Sequence, residues 1–266
     1  MECDIRDINL NVIPKFDILT AGFPCQSFSV MGNQRGFGDP RGTMYYEVLR
    51  VIDKIKPQVV FLENVKNLVQ HDKERTFLTI YNTLAERGYV VKYSVQSART
   101  HANIPQYRDR IFVIAFLDYE KLERFSFPNE IPLTKTINDI VNRSAKVDES
   151  FYYQPSNIYY ENLNRKMTNN NAIYRIDDSG VAKRAWTVCP TLKANMGTYR
   201  DRIPLIRDVY GIRKLTPTDC LALQGLPKNY SLPDIPIKEI YKQLGNTVCV
   251  PVVMRIARRI LSVMSV

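Results

Sequence analysis

Short apolar runs alternate with stretches of helical periodicity through the first 116 residues of the chain. Apolar runs of this length predict buried strands at 16–20, 59–62, 89–95 and 110–116. Apolar residues at helical spacing predict a helix over 44–56, a second helix with Phe77, Ile80, Tyr81 and Leu84 facing inward, and a final helix with Met254, Ile256, Ala257 and Ile260 on its inner face. Strands that alternate with helices form an α/β sheet, so this pattern sets the fold class of the first part of the chain.

Chemically active side chains lie beside three of these predicted strands. Cys25 follows the first strand, where a glycine and a proline open a loop, and Glu63 directly follows the second strand. Open sheets bind ligands beyond the carboxyl ends of their strands, where both residues are expected. Arg108 and Arg110 lead into a strand, so a loop must bring them to such a site. A lone cysteine is more often a small buried apolar residue, and the same caution applies to a lone glutamate.

Five segments in a fixed order carry a more specific signal. They are Pro24-Cys25-Gln26, Glu63-Asn64-Val65, the spaced set Gln106, Arg108 and Arg110, and the segments 213–227 and 245–248. In order and in wording they resemble the DNA (cytosine-5)-methyltransferase family of bacterial restriction–modification systems. The resemblance extends from about residue 3 to the end of the chain. It implies a Rossmann-like, S-adenosylmethionine-dependent methyltransferase sheet with a smaller, irregular, mostly β target-recognition domain.

Charge and hydrophobic periodicity both change near residue 131, where helical periodicity fades and the excess of Lys and Arg begins. Residues 1–130 hold 17 Lys and Arg against 16 Asp and Glu, whereas residues 131–266 hold 20 against 11. A basic half beside a neutral half suggests a polyanion-binding part attached to a chemical part, although a solvated basic surface explains the charge equally well. With the resemblance, the expected domains are a catalytic domain over 1–130, a target-recognition domain and hinge over 131–239, and a C-terminal helix over 240–266 that returns to the first domain.

The resemblance gives each group of the first site a role in methylating carbon 5 of cytosine. Cys25 is expected to add as a thiolate to carbon 6 of the ring, which makes carbon 5 nucleophilic. Glu63, protonated or sharing a proton, is expected to hydrogen-bond N3 of the ring, which requires a dry pocket. Arg110 matches the arginine that binds O2, and Arg108 and Gln106 match its supports, so Arg108 completes the predicted catalytic set.

The resemblance also implies the donor and the nucleic acid. The methyl donor is S-adenosylmethionine, and its expected contacts are Asp4, Ile5, Pro24, Met44, Asn246, Thr247 and Val248. The substrate is double-stranded DNA with the target base flipped out of the stack, since none of these groups reaches a base inside a duplex. The expected DNA contacts are Ser29, Met31, Arg41, Thr191, Leu192, Lys193, Arg200 and Arg202.

The chain departs from the family pattern at its start, because no glycine-rich Phe-x-Gly-x-Gly turn precedes the cysteine segment. We therefore expect an N-terminally incomplete sheet and a donor site that needs completion. A separate N-terminal subunit, an interrupted gene or a late start codon would each explain it. Two alternatives to an active DNA methyltransferase stay open. One is a non-catalytic or split-enzyme DNA-binding subunit, and the other is an RNA cytosine methyltransferase of related design.

Five scattered cysteines and two histidines argue against a disulfide framework and against a metal site. The chain has no apolar run near the roughly 20 residues of a membrane span. Its first residues lack the basic and apolar regions of a signal peptide. These features predict a bacterial cytoplasmic protein with no metal cofactor and no membrane partner.

Overall fold

The computed structural model describes residues 3–24, 43–176, 182–198 and 202–265. The strands are β1 (Ile18–Gly22), β2 (Val59–Val65), β3 (Val90–Ser97), β4 (Asp109–Phe116), β5 (Ile173–Ile176), β6 (Ala182–Trp186), β7 (Leu205–Arg207) and β8 (Ile212–Lys214). The helices are α1 (Thr43–Ile55), α2 (Arg75–Ala85), α3 (Ala98–Ala102), α4 (Tyr119–Arg124), α5 (Tyr160–Lys166), α6 (Pro217–Gln224), α7 (Ile237–Asn246) and α8 (Val250–Met264). Together they confirm the predicted mixed α/β fold, with a second, small antiparallel sheet.

The first sheet has the strand order β1-β2-β4-β3. β1 pairs parallel with β2, as expected for strands joined through a crossover helix, whereas β4 pairs antiparallel with β2. β1 and β3 are thus the edge strands among the described residues. The expectation that the sheet is incomplete at its N-terminal end stays a prediction.

Apolar stripes of α1 and α2 cover this sheet. Tyr45, Val48, Leu49 and Ile52 of α1 and Phe77, Ile80 and Leu84 of α2 are buried in one core with residues of β2 and β4. Burying an aliphatic side chain of this size contributes about 1.5–3 kcal/mol, so this core fixes the two helices against the strands. Tyr45 also reaches across to α2, where its hydroxyl lies 2.8 Å from the Thr83 hydroxyl oxygen. Burial raises the pKa of Tyr45 to about 12.

Three details of the predicted pattern are wrong. Tyr81 is 41% exposed, because the buried stripe of α2 is centred on Phe77, Ile80 and Leu84 and leaves Tyr81 at its margin. Met254 is 47% exposed, since it lies about 200° around α8 from the fully buried Ile256. The second strand continues past residue 62 to 65, because its pairing with β4 continues that far.

The second sheet has the order β6-β5-β7-β8, with antiparallel pairing throughout. Its inner face packs on α5 through a small core that includes Leu163, Tyr174 and Leu205. The strands have only three to five residues each, which explains why the sequence beyond residue 131 shows little periodicity.

A buried arginine ties this sheet to α6. Arg213 on β8 donates to the carboxylates of Asp208 and Asp219 at 2.8 and 2.7 Å, and its side chain is 1% exposed. Asp219 also closes a capping box with Thr216 at the start of α6. Arg213 further donates to the Asn142 carbonyl at 3.0 Å. One side chain thereby joins the hairpin, the helix start and the loop before residue 143.

The chain divides into two compact units. The first contains Met1–Gln96, Asp109–Phe127 and Arg258–Val266, and the second contains Ser97–Arg108 and Pro128–Ala257. The functional domain boundaries expected from the sequence stay a prediction. In the described part of the chain, every helix is too short or too polar to cross a membrane.

Candidate functional site

An ion pair between neighbouring strands lies at the end of the first sheet. The Arg110 Nε and Glu63 Oε1 atoms are 2.9 Å apart, with 15% and 22% of the two side chains exposed. In the antiparallel register, Glu63 lies opposite Phe112 and Arg110 opposite Val65. Glu63 and Arg110 are therefore diagonal neighbours on one face, within reach of long side chains. A carboxylate and a guanidinium that are held together and partly exposed can bind a ring with adjacent donor and acceptor atoms.

Glycine at position 22 makes room for this carboxylate. Gly22, the last residue of β1, lies beside Glu63 in the parallel register. A Cβ atom at position 22 would lie 3.4 Å from the Glu63 Oε2 atom, so a larger side chain would press on the carboxylate. The absence of a side chain thus leaves the end of β1 open beside the ion pair.

Asn64 fixes the chain that leaves β1. Its Nδ2 donates to the Phe23 carbonyl at 2.7 Å, and its Oδ1 accepts from the Val65 N–H at 2.9 Å. Asn64 is 5% exposed, so these hydrogen bonds form away from solvent. The family resemblance assigns the exocyclic amine of cytosine to the Phe23 carbonyl, and this stays a prediction, because a carbonyl that accepts one hydrogen bond from Asn64 keeps a second lone pair. Cys25 itself lies outside the described residues.

The residues Asp4, Ile5 and Met44 of the predicted donor site share one region of the first unit. Asp4 caps the short 3₁₀ helix Ile5–Asp7, and Arg50 on α1 donates to the Ile5 carbonyl at 2.7 Å. Ile5 and Met44 are half-buried and pack against the core of this unit. Hydrogen bonds from Arg6 lower the pKa of Asp4 to about 2, so its carboxylate is ionised and can accept. A carboxylate near half-buried apolar side chains fits a purine with an exocyclic amine, the chemistry of an adenosine donor.

Arg108 is buried and bound to the main chain of the second unit. It is 2% exposed and donates to the carbonyls of Leu192 and Gly245 at 3.0 and 3.1 Å, and to that of Thr247. Thr247 and Val248 are half-buried and Asn246 is exposed at the end of α7. This geometry makes Arg108 a support for the chain and corrects its place in the predicted catalytic set.

A basic cavity lies in the second unit. It has a volume of about 220 Å³ and is lined by Arg175, Ile176, Pro190, Thr191, Lys193, Asn195, Arg202 and Pro204. Three of the predicted DNA contacts, Thr191, Lys193 and Arg202, thus share one cavity. Arginine and lysine hold phosphates, and arginine and asparagine also read base edges, so the lining suits a nucleic acid.

Comparison with known proteins identifies the family of the chain. The family model for C-5 cytosine-specific DNA methylase matches residues 1–262. The chain belongs to this family. The type II methyltransferase M.Bsp6I from Bacillus sp. (strain RFL6) is 47% identical over 259 residues, which are 97% of this chain and 82% of that protein. The type II methyltransferase M.SsoII from Shigella sonnei is 36% identical over 264 residues, covering 97% and 67%.

A solved structure shows the same fold at low sequence identity. The structure of a DNMT2 variant from Spodoptera frugiperda has a TM-score of 0.69 and 17% identity, and it covers 98% of this chain and 85% of that one. Membership of the C-5 cytosine-specific DNA methylase family makes the chain an enzyme, as predicted, and the non-catalytic alternative is not favoured. These comparisons give no support to a separate N-terminal subunit.

Several site predictions for this methylase lie outside the described residues. They are Cys25, Ser29, Met31, Arg41 and Arg200. Leu192 is described and is 1% exposed, so its side chain packs inside the protein. This side chain therefore does not make the DNA contact that was expected of it. Pro24 is exposed at the end of the described segment, one residue before Cys25.

Sequence reasoning missed the residues that position the methylase site. In the sequence Gly22 marks only the end of a strand, although its parallel register with Glu63 makes it part of the carboxylate's surroundings. The sequence marks Asn64 only as the middle of a motif and gives Arg50 no role. For Asn64 the motif itself was the available signal, whereas Arg50 gave none, because its acceptors are main-chain carbonyls about 40 residues away.

Proposed function

We propose that this methylase transfers a methyl group to carbon 5 of a flipped-out cytosine in a specific duplex DNA sequence, through a covalent bond between Cys25 and carbon 6. The observation that supports it most directly is the Glu63–Arg110 ion pair beside the end of β1. Asn64 holds the Phe23 carbonyl at this place, only two residues before Cys25. The chain that leads to the proposed nucleophile is thereby held, at Phe23, beside the strand that carries the acid.

Each group has one task in the proposed reaction. The Cys25 thiolate forms a bond to carbon 6, and the electron pair of the ring double bond moves to make carbon 5 nucleophilic. In the reacting complex Glu63 carries or shares a proton that hydrogen-bonds N3, and Arg110, its ion-pair partner in the free protein, stabilises the negative charge that develops on O2. When bound, S-adenosylmethionine supplies an electrophilic methyl group. A water molecule accepts the carbon 5 proton, and the electron pair that this proton leaves re-forms the ring double bond as the Cys25 thiolate is expelled.

The remaining site predictions are part of the proposal. The donor contacts are Asp4, Ile5, Pro24, Met44, Asn246, Thr247 and Val248. Of these, the Asp4 carboxylate and the half-buried Ile5 and Met44 suit the adenine of the donor. The DNA contacts are Ser29, Met31, Arg41, Thr191, Lys193, Arg200 and Arg202. We assign target recognition to residues 131–239 because the cavity with three cationic side chains lies there.

The biological setting is inferred from the relatives. M.Bsp6I and M.SsoII are both type II methyltransferases, which supports a role for this chain in protecting DNA within a bacterial restriction–modification system. A cytoplasmic location stays a prediction from the scattered cysteines.

Covalent trapping tests the proposal. A duplex pool of random sequence in which 5-fluorocytosine replaces cytosine is incubated with the chain and S-adenosylmethionine. Fluorine cannot leave carbon 5 as a proton does, so the adduct to Cys25 persists and shifts the protein on a denaturing gel. The Cys25→Ala variant is expected to form no adduct while it still binds DNA. Cys3→Ala is the matched control, because Cys3 is an exposed cysteine outside the proposed site, and its adduct is expected to form normally.

Two outcomes would contradict the proposal. Methyl transfer that survives Cys25→Ala removes the covalent mechanism. Efficient methylation of RNA with none of duplex DNA favours the RNA methyltransferase alternative. Sequencing of the trapped DNA also reveals the recognised sequence.

A further inference from the structure

Three short segments of the second unit meet at one buried side chain. The Arg108 guanidinium donates through Nη1 to the Leu192 carbonyl, and through Nη2 to the carbonyls of Gly245 and Thr247. Leu192 lies between Thr191 and Lys193, which line the basic cavity. Thr247 lies in the segment that we assign to the donor. We call residues 191–193 the recognition segment and residues 246–248 the donor segment. A single rigid group therefore joins the backbone of the recognition segment to the backbone at the donor segment.

A second buried side chain reinforces this connection. Gln106 is fully buried, donates to the Leu223 carbonyl at 2.8 Å and accepts from the Leu192 N–H at 3.3 Å. Gln224, also fully buried, donates to the Leu244 carbonyl at 2.7 Å, next to Gly245. Both main-chain polar groups of Leu192 are thus bound by Gln106 and Arg108, which are two residues apart in sequence.

Close packing leaves the two segments little freedom to move separately. A Cβ atom on Gly245 would overlap the main chain of Lys193 and Ala194, so the end of α7 lies directly against the recognition segment. The backbone of residues 105–107 pairs in turn with Cys189, through Tyr107 N–H to the Cys189 carbonyl at 2.8 Å. The guanidinium of Arg108 is a rigid plane, so its carbonyl partners lie at fixed positions around it. If one of these carbonyls moved away, a buried positive charge would lose a hydrogen bond.

We propose that Arg108, with Gln106, is the positioning residue that couples DNA recognition to donor binding in this methylase. The inference rests on the proposed function for the assignment of the two segments. DNA that binds residues 191–193 holds the Leu192 carbonyl on Arg108, and Arg108 in turn holds the Thr247 carbonyl in its donor-binding position. Because coupling between two sites is reciprocal, the donor strengthens DNA binding by the same factor.

The coupling is measured as a ratio of two dissociation constants. S-adenosylhomocysteine, the unreactive product of the donor, is titrated calorimetrically into the full chain, alone and with saturating random-sequence duplex DNA. For the wild type we expect DNA to tighten its binding by about 5- to 150-fold, the usual range for coupled sites. In Arg108→Lys, whose single ammonium lacks the fork that spans three carbonyls, we expect a factor below about two.

Arg213→Lys is the matched control. Arg213 is equally buried and also donates to main-chain carbonyls in the same unit, but its partners are Asn142, Lys214 and two aspartates. A general loss of stability would lower the coupling factor in both variants, whereas a positioning role lowers it only in Arg108→Lys. A wild-type factor of one, or an unchanged factor in Arg108→Lys, overturns the inference.

Hydrogen exchange tests the same coupling without a variant. S-adenosylhomocysteine alone is expected to slow exchange at the Leu192 amide, which donates to Gln106, as well as at the Thr247 amide, which donates to the Gln243 carbonyl. Protection at Thr247 with none at Leu192 would contradict the coupling. Loss of covalent trapping would overturn the proposed function, whereas intact trapping with uncoupled binding would overturn this inference alone.

Discussion

Replacing Asn64 with alanine should destabilise the chain and displace the segment that leads to Cys25. The substitution removes the donor to the Phe23 carbonyl, and Phe23 is 8% exposed, so water replaces that hydrogen bond poorly. An unsatisfied buried acceptor costs about 1–3 kcal/mol. The Val65 N–H also loses its acceptor, but Val65 is 38% exposed and can bind water, so its contribution is small. We therefore expect a loss of about 1–3 kcal/mol in the free energy of unfolding.

Thermal unfolding checks this value. A domain of this size loses about 2–4 °C in melting temperature for each kcal/mol, which gives a decrease of about 2–12 °C for Asn64→Ala. The exposed Asn82 on α2 provides the control, and Asn82→Ala should change the melting temperature by less than about 2 °C.

Covalent trapping measures the effect of the same substitution on the site. The rate of adduct formation should fall at least tenfold in Asn64→Ala at a temperature where the variant is fully folded, because a displacement of about 1 Å in the segment before Cys25 misplaces the nucleophile. A melting temperature and a trapping rate that both match the wild type would refute the reasoning, since they would show that the Asn64 hydrogen bond neither stabilises the fold nor positions the cysteine segment.

Three further substitutions test other parts of the structure. Gly245→Ala should lower the melting temperature by several degrees, because its Cβ overlaps the Lys193 backbone, and a normal melting curve would contradict this packing. Arg213→Met should cost about 3–5 kcal/mol in urea unfolding, since it leaves buried carboxylates without their cation; a loss below about 1 kcal/mol would refute this. Burial lowers the pKa of His101 from 6.5, so the unfolded state binds more protons and stability should fall as the pH drops below about 6.5. His101→Gln should reduce that dependence between about pH 7 and pH 5, as followed by urea midpoints.

The elements of the first sheet were predictable because their signals are local. The stripe of Tyr45, Val48 and Ile52 specifies a helix through residues three and four positions apart, and the structure places α1 within one residue of the predicted range at each end. The short strands of the second unit give weaker signals, since three to five residues contain little periodicity. Two of the three strand pairings in their sheet are local, and the third, between Tyr174 of β5 and Leu205 of β7, joins residues far apart in sequence.

The chemical residues were predictable as types, but their positions were not. The order of Cys25, Glu63 and Arg110 in the sequence indicated the reaction class, and the family match agrees with it. That Glu63 and Arg110 form an ion pair depends on the antiparallel register of β2 and β4. The sequence of either strand alone leaves that register open, because strand direction and alignment are decided by pairing between the two strands.

Sequence by itself determined the fold class, the family and the residues that carry the chemistry, since these depend on local periodicity and on short ordered motifs. The motif distinguished the roles of two similar arginines, and the tertiary structure decided which groups each of them contacts. Arg110 pairs with Glu63 on the first sheet, whereas Arg108, two residues earlier, is buried among main-chain carbonyls of the second unit. The reason is physical: the acceptors of Arg108 lie 84 to 139 residues away in sequence, and only the folded chain brings them to it.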